Sequence, residues 1–156
     1  MMDRMPTASR AINPHVIGRM RLCAPLLRQY GRAFPALPHQ VRQARTFLAN
    51  LLADCPAADD AILCLSELAS NCILHSASQL PGGTFTVGVE IREGAYVLIE
   101  VHDNGGPWHR HSHCDDRPHG LNIVASVAAE SGVCGNAVTG WISWARIDWY
   151  GARPMS

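Results

Sequence analysis

Three polar residues recur at four-residue steps within one mostly apolar segment. Residues 67–75 read Glu-Leu-Ala-Ser-Asn-Cys-Ile-Leu-His, so Glu67, Asn71 and His75 are evenly spaced. Four residues advance an α-helix by about 400°, and a helix would therefore carry these side chains in one polar stripe. A carboxylate can accept a proton or orient a nucleophile, and an amide oxygen is a suitable ligand for a hard cation. The same spacing is also typical of a plain solvated helix face.

An acidic residue at the end of a strand pattern is the second feature. The apolar alternation of residues 97–101 leads into His102-Asp103-Asn104 and then into Gly105 and Gly106. Two glycines let the backbone approach a flat ligand closely, while the Asp103 carboxylate accepts a hydrogen bond from that ligand. Hairpin turns use similar residues, so this turn alone is weak evidence for a binding site.

A glycine that opens an apolar helix pattern is the third feature. Arg117-Pro118-His119 precedes Gly120-Leu121, and the apolar spacing predicts a helix over residues 119–130. The N–H groups of a first helical turn have no partners within the helix and are a natural seat for phosphate. Arg117 is the nearest cation for such a phosphate, although a surface charge would fit equally well.

The chain contains no lysine, and all 13 of its basic residues are arginines. A P-loop site needs a lysine on the phosphates, and a protein-kinase site of the common type needs one on a strand. Schiff-base chemistry needs a lysine amine. These three classes of site are therefore excluded.

Hydrophobic periodicity predicts three helices and five strands. The predicted strands are 30–34, 84–92, 95–102, 133–138 and 141–149, and the predicted helices are 39–54, 58–75 and 119–130. Helices segregated onto one face of a mixed, mostly antiparallel sheet predict an α+β fold, a two-layer sandwich.

The 156 residues suit a single domain, which we place at residues 29–150, followed by a short tail at 151–156. Residues 1–28 carry five arginines against one aspartate and are predicted to be a basic extension. No apolar run is long enough to span a bilayer, and zero net charge argues against direct nucleic-acid binding. Six cysteines without a CxxC pair, and no secretion signal, favour a cytoplasmic protein with reduced thiols.

Taken in order, the three features resemble the nucleotide-binding domain of the GHKL superfamily, which has the Bergerat-type fold. Residues 67–71 match its N box, 103–105 its first glycine box and 120–124 its second. Small members related to anti-sigma-factor serine kinases are the most similar, through segments like FPALPHQVRQAR, DNGGPW, RPHGL and GWISWAR. The resemblance covers residues 30–149.

The resemblance implies a role for each matched residue. Glu67 would orient the attacking hydroxyl group or take its proton, and Asn71 would ligate Mg²⁺ together with the ATP phosphates. Asp103 would accept the adenine amino group. The remaining nucleotide-binding candidates are Gly105, Gly106, Arg117, His119, Gly120 and Leu121.

A histidine-rich segment offers a different interpretation of one loop. His109, His111 and His113 stand beside Cys114, and imidazole and thiolate are good zinc ligands. Histidines at two-residue steps converge on one ion only if the loop is extended, and a fourth ligand is not evident. The GHKL resemblance implies instead that this segment is the lid over the nucleotide.

The resemblance implies an ATP-dependent kinase that phosphorylates a serine or threonine of an antagonist protein and holds a sigma factor. The alternative is a nucleotide-gated binding module with little or no kinase activity. The second glycine box has one glycine, Gly120, where the family normally has more, so fewer backbone donors face the phosphates. The sequence leaves open whether the chain forms a homodimer.

Overall fold

The computed structural model describes residues 26–75, 80–104 and 120–151. These ranges contain five strands and three helices. In chain order they are β1 (Leu27–Pro35), α1 (Gln40–Leu51), α2 (Ala58–His75), β2 (Thr84–Arg92), β3 (Tyr96–His102), α3 (Gly120–Val127), β4 (Glu130–Asn136) and β5 (Gly140–Asp148).

The five strands form one sheet in the order β1-β2-β3-β5-β4. All four pairings are antiparallel, so the sheet of the described residues is antiparallel throughout and the expected mixed character is wrong. The strand β1 lies at one edge of the sheet. Because β3 lies between β2 and β5, the residues that follow β3 emerge in the middle of the sheet.

The helices cover one face of the sheet, which confirms the α+β sandwich. Residues alternate between buried and half-buried along β2, β3 and β5, as expected for a sheet with one covered face. The helix α2 contacts α1 on one side and α3 on the other, and it packs on β2, β3 and β5. The fully buried large side chains are Phe34, Phe85, Leu48, Leu52, Leu65, Leu68, Ile91, Ile99, Ile147, Val87, Val97 and Val101.

The predicted third helix is too long at its C-terminal end. The helix α3 ends at Val127, and β4 begins at Glu130 rather than at residue 133. The Ala129 N–H donates to the carbonyl oxygen of Arg146, and the Arg146 Nε lies 3.3 Å from Glu130 Oε2. Contacts with β5 therefore end the helix before residues 128–130, although the local sequence of these residues favours helix.

Gly135 is a position in the β4–β5 hairpin that only glycine suits. Its φ is +110°, and an added Cβ would overlap the carbonyl oxygen of Gly140 and lie 3.0 Å from the Trp141 Cα. We expect Gly135→Ala to lower the free energy of unfolding by about 2–3 kcal/mol in urea titrations. Gly82→Ala is the matched control, because Gly82 has φ +78° but open space around it. Equal effects of the two substitutions would contradict the overlap.

A hydrogen-bonded pair on the uncovered face of the sheet predicts a pH dependence. The Tyr96 hydroxyl donates to Glu90 Oε1 at 2.6 Å, and Gln29 Nε2 donates to Oε2 at 2.8 Å. The hydrogen bonds from Tyr96 and Gln29 lower the pKa of Glu90 below 4.5, and the bond to Glu90 raises the pKa of Tyr96 above 10.0.

Tyr96→Phe should therefore lower stability most in the middle of the pH range. The contribution of Glu90 is lost as pH falls through its depressed folded pKa, and that of Tyr96 is lost as pH rises through its raised folded pKa. The stability difference between wild type and Tyr96→Phe should be constant between about pH 5.5 and 9 and should shrink at both ends. Chemical denaturation at a series of pH values tests this, and a difference independent of pH would contradict it.

Candidate functional site

Asp103 follows β3 directly and is held by the backbone of β5. Its Oδ1 accepts a hydrogen bond from the Trp141 N–H at 2.9 Å. Its own N–H donates to the Trp141 carbonyl oxygen at 3.0 Å. Because both bonds join Asp103 to main-chain atoms of a central strand, the half-buried carboxylate has a fixed position.

Asp103, one residue past the end of β3, has the same sequence parity as the buried strand residues Val97, Ile99 and Val101. Asp103 lies two residues beyond the buried Val101, and side chains two residues apart share a face of a strand. Val101 pairs with Ser143 on β5. We therefore expect a ligand of Asp103 on the side of the sheet where the helices pack.

Ser143 is a residue that the sequence analysis missed. It is 4% exposed and is the buried polar side chain of the described ranges. It occupies an inward position of β5, beside Val101 and two residues after Trp141. The signal was a hydroxyl at an inward position of Trp141-Ile-Ser-Trp-Ala, where an aliphatic side chain would be expected. Ser143 thus adds a hydroxyl group to the polar set near Asp103.

The polar stripe Glu67–Asn71–His75 lies on α2, as predicted. This helix has 18 residues, and Asp59 and Asp60 in its first turn stabilise the positive end of the helix dipole. The three stripe residues are half-buried. The packed side of α2 consists of Ala61, Cys64, Leu65, Leu68, Ala69, Cys72 and Ile73. The helix therefore carries a core face and a polar edge, and the functional roles of the stripe remain predictions.

The Cys64 thiol is buried on the packed side of α2 and has two carboxylates in its neighbourhood. Burial, together with the smaller effect of the Asp60 and Glu67 carboxylates, raises the pKa of Cys64 to about 11. At neutral pH the thiol is therefore protonated and has no nucleophilic role. The four cysteines in the described part of the chain are all free thiols.

The helix α3 begins at Gly120, so the predicted phosphate seat is a helix N-terminus. Leu121 packs partly buried against the core, and Val124 is buried. These two residues anchor α3 in the core, and α3 also contacts α2. The helix α3 therefore packs beside the helix that carries Asn71.

Several predicted site residues lie outside the described residues. These are Gly105, Gly106, Arg117 and His119, together with the histidine-rich segment 109–114. Within residues 26–75, 80–104 and 120–151, no three His, Cys, Asp or Glu side chains cluster as a metal site. None of the helices in those ranges is long and apolar enough to cross a membrane.

The comparison with protein families identifies the family of the chain. Residues 34–135 match the family model of the histidine kinase-like ATPase domain, while curated proteins give no significant match. The matched segment runs from the end of β1 into β4 and contains Glu67, Asn71, Asp103 and Gly120. It spans well over half of the chain. This protein therefore belongs to the histidine kinase-like ATPase domain family, whose members bind ATP.

Proposed function

We propose that the protein is an ATP-binding regulator that transfers the γ-phosphate of ATP to a serine or threonine of a partner protein. The partner we expect is an antagonist of the anti-sigma type, with a sigma factor as the regulated protein. The observation that carries this proposal is the Asp103 carboxylate, held by the main-chain N–H of Trp141. The polar edge of α2 supplies the remaining chemistry.

Adenine recognition by Asp103 follows from the hydrogen bonds available to it. An ionised carboxylate only accepts hydrogen bonds, and adenine presents an exocyclic amino group that donates. Guanine presents a carbonyl oxygen at the same ring position, which a carboxylate repels. Asp103 therefore favours ATP over GTP. Ser143, which both donates and accepts, is suited to a second contact on the same face.

Magnesium is the cation that the polar edge of α2 suits. The amide oxygen of Asn71 is a hard, neutral ligand, and Mg²⁺ is commonly held by one or two protein oxygens together with phosphates and waters. When bound there, Mg²⁺ would supply positive charge against the transferred phosphate. Asn71 holds this ion, and the N–H groups at the start of α3 bind phosphate oxygens.

Glu67 is the residue that acts on the attacking hydroxyl group. It lies one helical turn before Asn71 on the same edge of α2, and its carboxylate orients the acceptor hydroxyl and accepts its proton. The bond from the γ-phosphorus to the bridging oxygen of ADP breaks while the bond to the partner's hydroxyl oxygen forms. Transfer of this kind depends mostly on positioning and charge neutralisation.

Asn71→Ala is expected to remove the magnesium dependence of ATP binding. With Mg²⁺ present, ATP affinity should fall at least tenfold, whereas ATP affinity in EDTA should change less than about threefold. Asn50→Ala is the matched control, because Asn50 is exposed near the end of α1. Calorimetry of the three proteins with and without Mg²⁺ provides the measurement. Wild-type behaviour of Asn71→Ala would exclude Asn71 as the ligand.

Phosphate transfer itself is tested with ATP labelled at the γ-phosphate and a panel of purified anti-sigma antagonist proteins. The proposal predicts label on a serine or threonine of at least one of them. The alternative, a nucleotide-gated binding module, is favoured by the single glycine of the second glycine box. Tight ATP binding without transfer to any panel member would support that alternative and contradict the kinase.

A further inference from the structure

A groove runs between α1 and α2 on the outer side of the helix layer. One cavity of about 360 Å³ is lined by Pro38, Val41, Arg42, Arg45, Ser70, Ile73 and Leu74. A second cavity of about 370 Å³ is lined by Arg42, Arg45, Thr46, Ala49 and Ile62. Because the two cavities share both arginines, we describe them together as the α1–α2 groove.

The cavity beside Leu74 has an apolar lining that the described residues leave uncovered. Leu74 is 61% exposed, although it is a large aliphatic side chain on a helix of the domain. Val41 and Ile73 continue the apolar surface towards the core. Exposed apolar surface that lines a concave site is typical of a place where another molecule binds.

The rim of the α1–α2 groove is positively charged. Arg42 and Arg45 are exposed and three residues apart, so they project from the same side of α1. The sequence of α1, QVRQARTFLANL, contains no acidic residue, and neither cavity is lined by one. The ion pairs of the described ranges join other residues, so neither guanidinium group is neutralised within that part of the chain.

We propose that the α1–α2 groove binds an acidic amphipathic helix of a partner protein. Apolar side chains of that helix, spaced by three and four residues, would pack on Val41, Ile73 and Leu74. Its flanking carboxylates would pair with Arg42 and Arg45, since a guanidinium group matches a carboxylate with two parallel hydrogen bonds.

A protein helix fits this surface better than a nucleic acid does. Nucleic-acid binding depends on many phosphate contacts and a broad basic footprint, whereas the groove has two arginines beside an apolar lining and the chain has zero net charge. The inference goes beyond the proposed function, because no lining residue belongs to the candidate ATP site and binding in the groove requires no nucleotide.

The test uses the full chain, labelled at its aliphatic methyl groups, and three synthetic 18-residue helical peptides. The peptides share one leucine stripe and differ only in their flanking residues, which are Glu, Gln or Lys. We expect the Glu peptide to shift the methyl resonances of Val41, Ile73 and Leu74 in NMR spectra. Its dissociation constant should be at least tenfold lower than that of the other two peptides.

Two variants and a control locate the binding. Arg42→Gln with Arg45→Gln should weaken the Glu peptide at least tenfold, and Leu74→Gln should weaken all three peptides. Both changes are at exposed positions and should leave the fold intact. Arg92→Gln, on the uncovered face of the sheet, should have no effect.

Three results would overturn the proposal. They are equal binding of the Glu, Gln and Lys peptides, unchanged binding by the arginine double variant, and shifts confined to residues outside the groove. Tighter binding of a 20-nucleotide single-stranded DNA at the same methyl groups would also reject a protein helix in favour of a nucleic acid.

Discussion

Replacing Asp103 by asparagine is expected to lower ATP affinity by about 30- to 150-fold while leaving the fold unchanged. The Trp141 N–H requires an acceptor, so the asparagine oxygen takes the place of Oδ1 and the –NH₂ group takes the other position. The –NH₂ group then faces the amino group of adenine, and because both groups are donors, no hydrogen bond forms between them. A lost hydrogen bond to a charged group costs about 2–3 kcal/mol, which corresponds to the expected change in affinity.

The GTP affinity of the same variant makes the prediction more specific. The new –NH₂ group can donate to the carbonyl oxygen of guanine, so the preference for ATP over GTP should shrink or invert. Asp103→Ala loses the bond to Trp141 as well and should lower both affinities. Asp54→Asn, at an exposed position after α1, is the control and should leave both unchanged. An Asp103→Asn protein that binds ATP like wild type would exclude Asp103 as the adenine acceptor.

Glu67→Gln is the second substitution with a large expected effect, and it acts on transfer rather than on binding. Glutamine keeps the size of the side chain but cannot accept the proton of the hydroxyl group, so the transfer rate should fall by about 10²- to 10⁴-fold. ATP affinity should stay within about threefold of wild type, because adenine and magnesium are bound elsewhere. Single-turnover transfer of labelled phosphate, together with calorimetry, separates the two quantities.

Glu93→Gln is the matched control for this substitution. Glu93 lies exposed in the turn between β2 and β3, so Glu93→Gln changes charge equally without approaching the site. Its transfer rate should match that of wild type. If Glu67→Gln transfers phosphate at the wild-type rate, Glu67 has no catalytic role and the proton leaves by another route.

The sequence was most informative where local signals and tertiary packing favour the same structure. Residues 58–75 form the predicted helix because acidic residues in its first turn and a continuous apolar stripe agree with its place in the core. Residues 128–130 were mispredicted because their helical pattern is opposed by pairing with β5, a contact between segments that no local window contains. Hydrophobic periodicity within one segment carries no information about its pairing with a distant segment.

In the candidate site, too, the sequence indicated the local features but not the contacts between distant segments. The sequence indicated Asp103 through its position at the end of a strand before two glycines. It did not reveal that Trp141, 38 residues away, holds the carboxylate through its N–H, because the backbone of any residue offers that donor. Ser143 was missed since a hydroxyl group inside an aromatic strand resembles an outward position until the register is known.

The most direct test of the central claim is calorimetry of the wild-type protein with ATP and GTP in the presence of Mg²⁺. The account predicts one ATP site per chain, with a dissociation constant below about 100 μM, and GTP binding at least tenfold weaker. Equal affinity for the two nucleotides, or no heat of ATP binding, would contradict the assignment of Asp103 as the group that recognises adenine.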